Sequence, residues 1–250
     1  MGLALLSCEQ KSQPEMNKET AMSAAIENMK EDAAASFKSS EIPILPITKG
    51  DFWVYEVKLQ VAESKDDEPV LVDKEKFERK RVYLGKMKPP GDFPESDCFE
   101  IEASGIAVER EYVDIKEDRI LMRGAEIVGT KVVPYWLNPG VIMVKAGVLA
   151  GESLPPIRIK DPNSDLEVSR EIQIIGRETI SLAGRDFATI RILMTGDEGR
   201  KIGLQMRRTV WFAPKYGIVK EEKNRYVNDR LMLKELVELK SFEIKSAASR

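Results

Sequence analysis

The last third of the chain consists of segments in which apolar and polar residues alternate, separated by short turns. The alternating segments are residues 167–180, 187–194, 204–212, 218–226 and 231–242. A period of two is that of a strand with one buried face, and short connections such as the one at Gly217 join antiparallel neighbours. This pattern limits the fold more than any other feature, because it predicts a meander of consecutive antiparallel strands.

The middle of the chain extends the strand pattern towards the N-terminus. Trp53, Tyr55 and Val57 fall on one face of a segment from 52 to 61, and Glu56 and Lys58 fall on the other. Further short segments with strand character are 77–84, 98–103, 106–116, 119–122 and 126–133, and the apolar run 141–150 indicates a buried strand and turn. The predicted loops include 65–69, 89–92 and 138–140. We therefore expect about eleven strands.

A helical pattern precedes the strands. Apolar residues between 19 and 37 recur at spacings of three and four, at Met22, Ile26, Met29, Ala33 and Phe37. This spacing predicts an amphipathic helix, and the polar residues before it predict a tether. The helix can pack on the folded domain or lie on a membrane surface, and its few basic residues favour packing. The expected organisation is tether and helix over 9–41 and a single β-domain over 42–245.

The number of strands predicts how the sheet closes. One open sheet of about eleven strands would leave its apolar face exposed, so the sheet must curl or fold over. The fold class is therefore mainly β: an antiparallel meander that forms a β-sandwich or a curled half-barrel, with one N-terminal amphipathic helix.

Two stretches of the C-terminal part, 180–189 and 208–220, resemble a pair found in exported β-proteins of unknown function, including the TapB-like group. In the second stretch, Trp211 and Phe212 end a strand, Pro214 follows, and Gly217 and Lys220 begin the next strand. Residues 49–55 are similar to the first strand of those proteins. The resemblance covers roughly residues 45–242 and implies a β-fold and export. Those families have no assigned reaction, so it implies no catalytic residues.

Composition excludes several functions. The net charge of −3 leaves no excess of lysine and arginine to neutralise nucleic-acid phosphates, and the cluster Arg79-Lys80-Arg81 is predicted to be a solvated strand face. The chain has no histidine, which excludes Ser-His-Asp and Cys-His catalysis and histidine-ligated metals. No apolar run approaches the ~20 residues of a transmembrane helix.

The N-terminal residues Leu5-Leu6-Ser7-Cys8 resemble the lipobox of bacterial lipoproteins. The resemblance implies cleavage before Cys8 and diacylglycerol on its thiol, which would anchor the protein to a membrane. Because the preceding apolar run is shorter than the about 7–15 residues of a signal peptide, residues 1–8 are expected to be a truncated signal with its lipobox. The alternative is a frayed N-terminus with a free cysteine. The expected location is the bacterial cell envelope, facing the periplasm. In enterobacterial sorting an aspartate after the cysteine favours the inner membrane, so Glu9 favours the outer membrane.

Candidate chemistry elsewhere in the chain is sparse. Cys98 lies in a predicted strand among acidic residues and is expected to be a small core residue, although an 8–98 disulfide is conceivable if Cys8 is free. The carboxylate pairs Glu109/Glu111 and Glu221/Glu222 are the nearest approach to acid–base catalysis. The acidic run 161–165 lacks the spacing of a calcium loop and predicts a turn. We expect no catalytic residues, cofactor or metal.

Three classes of function are compatible with these features. The first is a non-enzymatic envelope lipoprotein that binds a protein partner or scaffolds an assembly, and this is the preferred hypothesis. The second is a carrier that holds an apolar or lipid ligand inside the curled sheet, for which the apolar run 141–144 would be suitable. The third is a histidine-free hydrolase that uses carboxylates.

Overall fold

Twelve antiparallel strands form one sheet in the computed structural model, which describes residues 44–65, 68–130, 132–160, 167–198 and 203–245. In chain order the strands are β1 Phe52–Lys65, β2 Glu68–Met87, β3 Ser96–Ala103, β4 Ile106–Ile115, β5 Arg119–Ile127, β6 Val132–Lys145, β7 Ser153–Lys160, β8 Glu167–Leu182, β9 Arg185–Glu198, β10 Leu204–Ala213, β11 Gly217–Val227 and β12 Arg230–Glu243. All of these residues belong to one unit, Ser39–Arg250.

The order of the strands makes the sheet a single meander that turns back on itself. The order is β6-β5-β4-β3-β2-β1-β12-β11-β10-β9-β8-β7, so each strand pairs with its neighbours in sequence, and β1 also pairs with β12. The two edge strands, β6 and β7, are consecutive in the chain and approach each other. The sheet is therefore nearly closed into a barrel, with its opening between β6 and β7.

Bulges help the sheet to curl. Register shifts interrupt nearly every ladder, for example at Leu59/Gln60 in β1 and Tyr83/Gly85 in β2. A bulge bends its strand and increases the local twist, so repeated bulges allow a sheet of this width to wrap around one interior.

The apolar core fills the part of the interior near the start of β1. Trp53, Tyr55 and Val57 lie on the inner face of β1, and all three are almost fully buried. Two of them tie β1 to the start of β11, across the intervening β12: Trp53 Nε1 donates to the Tyr216 carbonyl at 2.5 Å, and Tyr55 Oη donates to the Ile218 carbonyl at 2.9 Å. These bonds satisfy the polar tips of the two large buried rings.

The segment before β1 covers this end of the interior. Ile44 and Leu45 are buried, and the backbone of Ile44 bonds to the turns that follow β4 and β10. Gly217 lies beneath Leu45 with a φ of +87°, a conformation that glycine adopts without strain. Asp51 is fully buried and accepts hydrogen bonds from the backbone N–H groups of Thr48 (2.7 Å) and Lys245 (3.0 Å).

A smaller cluster covers the outer face of β3, β4 and β5. Phe93 stacks on Trp136 with ring centroids 4.8 Å apart, and Trp136 also contacts Tyr112. Tyr112 donates from its hydroxyl to Glu126 Oε2 at 2.7 Å. Cys98 is a fully buried free thiol, and burial raises its pKa to about 12. Its predicted place in a core is therefore confirmed.

The structure confirms the prediction of a mainly β, antiparallel meander and selects the curled sheet over the two-sheet sandwich. The predicted helix over 19–37 lies outside the described residues. The loop prediction at 138–140 is wrong, because these residues lie within β6. The predicted segments 119–122 and 126–133 are also wrong, since β5 runs continuously to Ile127 and β6 begins at Val132. Strand β7 was not predicted, because Pro155 and Pro156 interrupt its alternation.

Proline residues lie on both edges of the sheet. β6 contains Pro134 and Pro139, and β7 contains Pro155 and Pro156. Because proline has no N–H to donate, it is tolerated at an edge and discourages the addition of a further strand. Within the described part of the chain, no helix is long and apolar enough to cross a membrane.

Replacing Asp51 by alanine should destabilise the domain by about 1–3 kcal/mol, because two part-buried backbone N–H donors lose their acceptor. Urea unfolding followed by tryptophan fluorescence measures the change. Asp92→Ala, at an exposed loop position, is the matched control and should shift the free energy of unfolding by less than about 0.5 kcal/mol. Equal unfolding midpoints for the two variants would contradict the role of Asp51.

Candidate functional site

A layer of charged side chains crosses the interior next to the apolar core. Strand register places its members on the inner face of β2, β4, β10, β11 and β12, in line with core residues such as Trp53 and Val57. We call these residues the charged layer: Arg79, Arg81, Glu109, Glu111, Arg208, Glu221, Lys223 and Glu235. Because side chains alternate along a strand, charges spaced two residues apart share one face.

Three ion pairs neutralise most of the charged layer. Arg81 contacts Glu111 at 2.7 Å, Arg208 contacts Glu221 at 2.7 Å, and Arg79 contacts Glu235 at 2.8 Å. Two of these pairs cross over an intervening strand. To reach Glu111 on β4, the Arg81 guanidinium passes over the Phe99 ring on β3, 3.9 Å from its centroid.

The Arg208–Glu221 pair remains ionised in spite of its burial. Burial alone would raise the pKa of Glu221, but the Arg208 guanidinium outweighs it and holds that pKa below its ordinary value. Burial disfavours the charged form of Arg208 as well, and Glu221 reverses the effect, so the pKa of Arg208 is raised. Each charge of the pair is therefore stabilised by the other.

Two members of the charged layer are outside these pairs. The side chains of Glu109 and Lys223 form no hydrogen bond or ion pair with a residue that the structure describes. Burial, followed by repulsion from Glu111, raises the pKa of Glu109. Burial, followed by the charges of Arg208 and Arg225, lowers the pKa of Lys223. The environment of each group thus favours its neutral form.

A small cavity separates the charged layer from the core. Its volume is about 60 Å³, and it is lined on one side by Arg81, Glu111 and Arg208 and on the other by apolar residues such as Met194 and Phe212. The Nε–H groups of Arg81 and Arg208 are buried and have no hydrogen-bond acceptor among the described residues. The cavity has room for ordered water, which can satisfy such groups. It is several-fold smaller than the about 300–1,000 Å³ of a typical ligand pocket.

Exposed apolar residues lie at the strand ends farthest from the Ile44–Leu45 segment, and we call this set the apolar rim. It consists of exposed residues at the strand ends beside the β1–β2, β3–β4, β5–β6 and β11–β12 connections, namely Val70, Ile106, Val108, Ile127, Val132 and Met232. These residues are between 40% and 69% exposed. Single exposed apolar residues are ordinary, whereas several at one end of a domain mark a candidate interaction surface.

The structure does not bring most of the candidate site residues from the sequence analysis together in one site. Glu109 and Glu111 share the inner face of β4, but Glu111 is held by Arg81. Glu221 faces inward to Arg208, whereas Glu222 accepts a hydrogen bond from Asn224. Cys8 and the 161–165 run lie outside the described residues.

The prediction of a solvated face for Arg79-Lys80-Arg81 is wrong for the two arginines. Lys80 lies over the Phe52 ring, whereas Arg79 and Arg81 point into the charged layer. The available signal was their spacing of two residues from each other and from the core residue Tyr83.

The comparisons with known proteins give only distant likenesses. No family model matches the chain, and no curated protein matches it. A solved structure described as an exported protein with YmcC-like fold from Bacteroides fragilis is 13% identical, covers 81% of this chain and 100% of its own, and has a TM-score of 0.45. A structure described as a lipoprotein from Parabacteroides distasonis is 12% identical, with coverages of 82% and 100% and a TM-score of 0.46.

The hypothetical lipoprotein YmcC from Escherichia coli is 11% identical and covers 92% of this chain and 98% of its own, with a TM-score of 0.30. At TM-scores below 0.5, these likenesses establish neither a family nor a function for the chain.

Replacing Arg81 by methionine should cost about 2–3 kcal/mol of stability, because Glu111 is left charged and largely buried. The double variant Arg81→Met, Glu111→Leu should recover most of the loss, since no unpaired charge remains. Lys76→Met is the control: Lys76 pairs with Glu56 at 2.7 Å on the exposed face, and its loss should cost less than about 1 kcal/mol. A double variant no more stable than Arg81→Met would contradict the interpretation.

Replacing Glu109 by glutamine should stabilise the domain at neutral pH. The raised folded-state pKa means that the unfolded chain loses this proton at a lower pH than the folded one, so ionisation favours unfolding. The gain in the free energy of unfolding should be absent below the ordinary glutamate pKa of about 4.3 and grow as the pH rises above it. Urea titrations at pH 4.5 and pH 7.5 measure the gain, and an equal gain at both would contradict it.

Proposed function

We propose that the chain is a non-enzymatic lipoprotein of the bacterial cell envelope, anchored through Cys8, whose β-domain binds a partner protein. The observation that carries the proposal is the apolar rim. It lies at the strand ends opposite those at which the Ile44–Leu45 segment enters the sheet. An anchor on Cys8 would attach the protein to the membrane through its N-terminal segment.

The small volume of the cavity beside the charged layer supports a role for the outer surface. A carrier of lipid needs an apolar space large enough for an acyl chain, and the cavity beneath the core has a volume of only about 60 Å³. Met194, Phe212 and their neighbours occupy the space in which such a ligand would lie. The geometry therefore favours the binding module over the carrier.

The charged layer does not favour hydrolysis. Acid–base hydrolysis of the glycosidase type requires one protonated and one ionised carboxyl group flanking the substrate bond. Glu111 and Glu221 are occupied by arginines, which leaves Glu109 as the carboxyl group of the layer with a raised pKa. The ion pairs instead neutralise the charges that the interior encloses.

The anchor is tested by the intact mass and membrane partitioning of the full-length protein from a bacterial host. The wild type should be in the membrane fraction and heavier than the chain beginning at Cys8 by the mass of its acyl groups. Cys8→Ser should be neither acylated nor membrane-bound. A soluble, unmodified wild type would contradict the anchor.

The binding surface is tested by photo-crosslinking in cells with p-benzoylphenylalanine at position 127 or at position 149. Ile127 belongs to the apolar rim, whereas Leu149 is an equally apolar, 61% exposed residue on the connection between β6 and β7. A discrete crosslinked protein is expected from position 127 and not from position 149. Crosslinks that are absent from both positions or identical at the two would contradict the proposal.

A further inference from the structure

A polar groove lies on the outer face of β8, β9, β10 and β11, and its residues belong to neither the charged layer nor the apolar rim. Its volume is about 540 Å³, which is within the range of small-molecule sites. We define the polar groove by six of its lining residues: Glu171, Asp197, Gln205, Arg207, Tyr226 and Asp229.

Strand register arranges the polar groove in two rows. In the first row Ser169, Asp197, Gln205 and Tyr226 lie directly opposite one another across four strands. In the second row Glu171, Thr195 and Arg207 do the same across three strands. Since neighbouring strands are about 4.8 Å apart, the rows form a platform roughly 15 Å long, presenting side chains that the backbone holds in place.

The charged side chains of the polar groove are not engaged with one another. Elsewhere on the outer face opposite charges pair across strands, as Lys76 does with Glu56 and Lys220 with Glu238. The side chains of Glu171, Asp197 and Arg207 form no hydrogen bond or ion pair with any residue in the described part of the chain. Their donors and acceptors are therefore available to a ligand.

We propose that the polar groove binds a neutral saccharide. Its carboxylates accept hydrogen bonds, Arg207 donates them, and Gln205 does both, which suits the hydroxyl groups of a sugar. The Tyr226 ring offers an apolar face on which the C–H groups of a sugar ring can lie. Among the described residues that line the polar groove, Glu171, Asp197 and Asp229 carry carboxylates and Arg207 carries a guanidinium, and this excess of negative charge disfavours phosphate and acidic ligands.

The outcome does not depend on the anchor or on the apolar rim, because the polar groove uses different residues. The full-length protein is titrated with maltose, lactose and chitobiose by saturation-transfer NMR and calorimetry. At least one disaccharide should bind, and Arg207→Ala and Asp197→Asn should each weaken that binding at least tenfold. Glu238→Gln, on the same outer face but outside the polar groove, should leave the affinity unchanged.

Circular dichroism melts establish that the variants fold, which is expected because Arg207 is exposed and Asp197 is only partly buried. Binding to none of the disaccharides would overturn the proposal. Saccharide binding that is unaffected by both groove variants would also overturn it. Binding of spermine without binding of any disaccharide would overturn it as well and would assign the polar groove to cations.

Discussion

The pairing of charges inside the curled sheet is the constraint that shapes its interior. Each charge of Arg81–Glu111, Arg208–Glu221 and Arg79–Glu235 is accommodated there because its partner lies within 2.8 Å. Arg81–Glu111 and Arg79–Glu235 each reach across an intervening strand, so they require the curvature that brings those strands together. A lone buried charge would be costly, whereas a paired one is tolerated.

The cavity between the charged layer and the core has a volume of only about 60 Å³, and both candidate binding surfaces lie on the outside. The apolar rim and the polar groove both lie at strand positions that the core does not use, and they differ in chemistry. One is apolar, and the other offers unengaged carboxylates, an amide and the Arg207 guanidinium.

Sequence reasoning predicted the fold where local pattern determines it and failed where distant partners do. Residues 204–212 and 218–226 alternate cleanly, and the structure has strands Leu204–Ala213 and Gly217–Val227 at these positions. Strand β7 is not predicted by the sequence pattern, because its two prolines interrupt the alternation of apolar and polar residues. The sequence predicts solvated side chains for Arg79 and Arg81, because their partners, Glu235 and Glu111, are remote in sequence. No pattern within one strand reveals that a charge will meet its partner across an enclosed interior, and the polar groove likewise arises only from register among four strands.

The test of a filled interior is the binding of a fluorescent fatty acid, cis-parinaric acid, to the full-length Cys8→Ser protein, which has no acyl group of its own to compete. A cavity of about 60 Å³ predicts no saturable fluorescence increase and no displacement by palmitate. Saturable one-to-one binding that palmitate reverses would contradict a filled interior and would favour a lipid carrier over a protein-binding module.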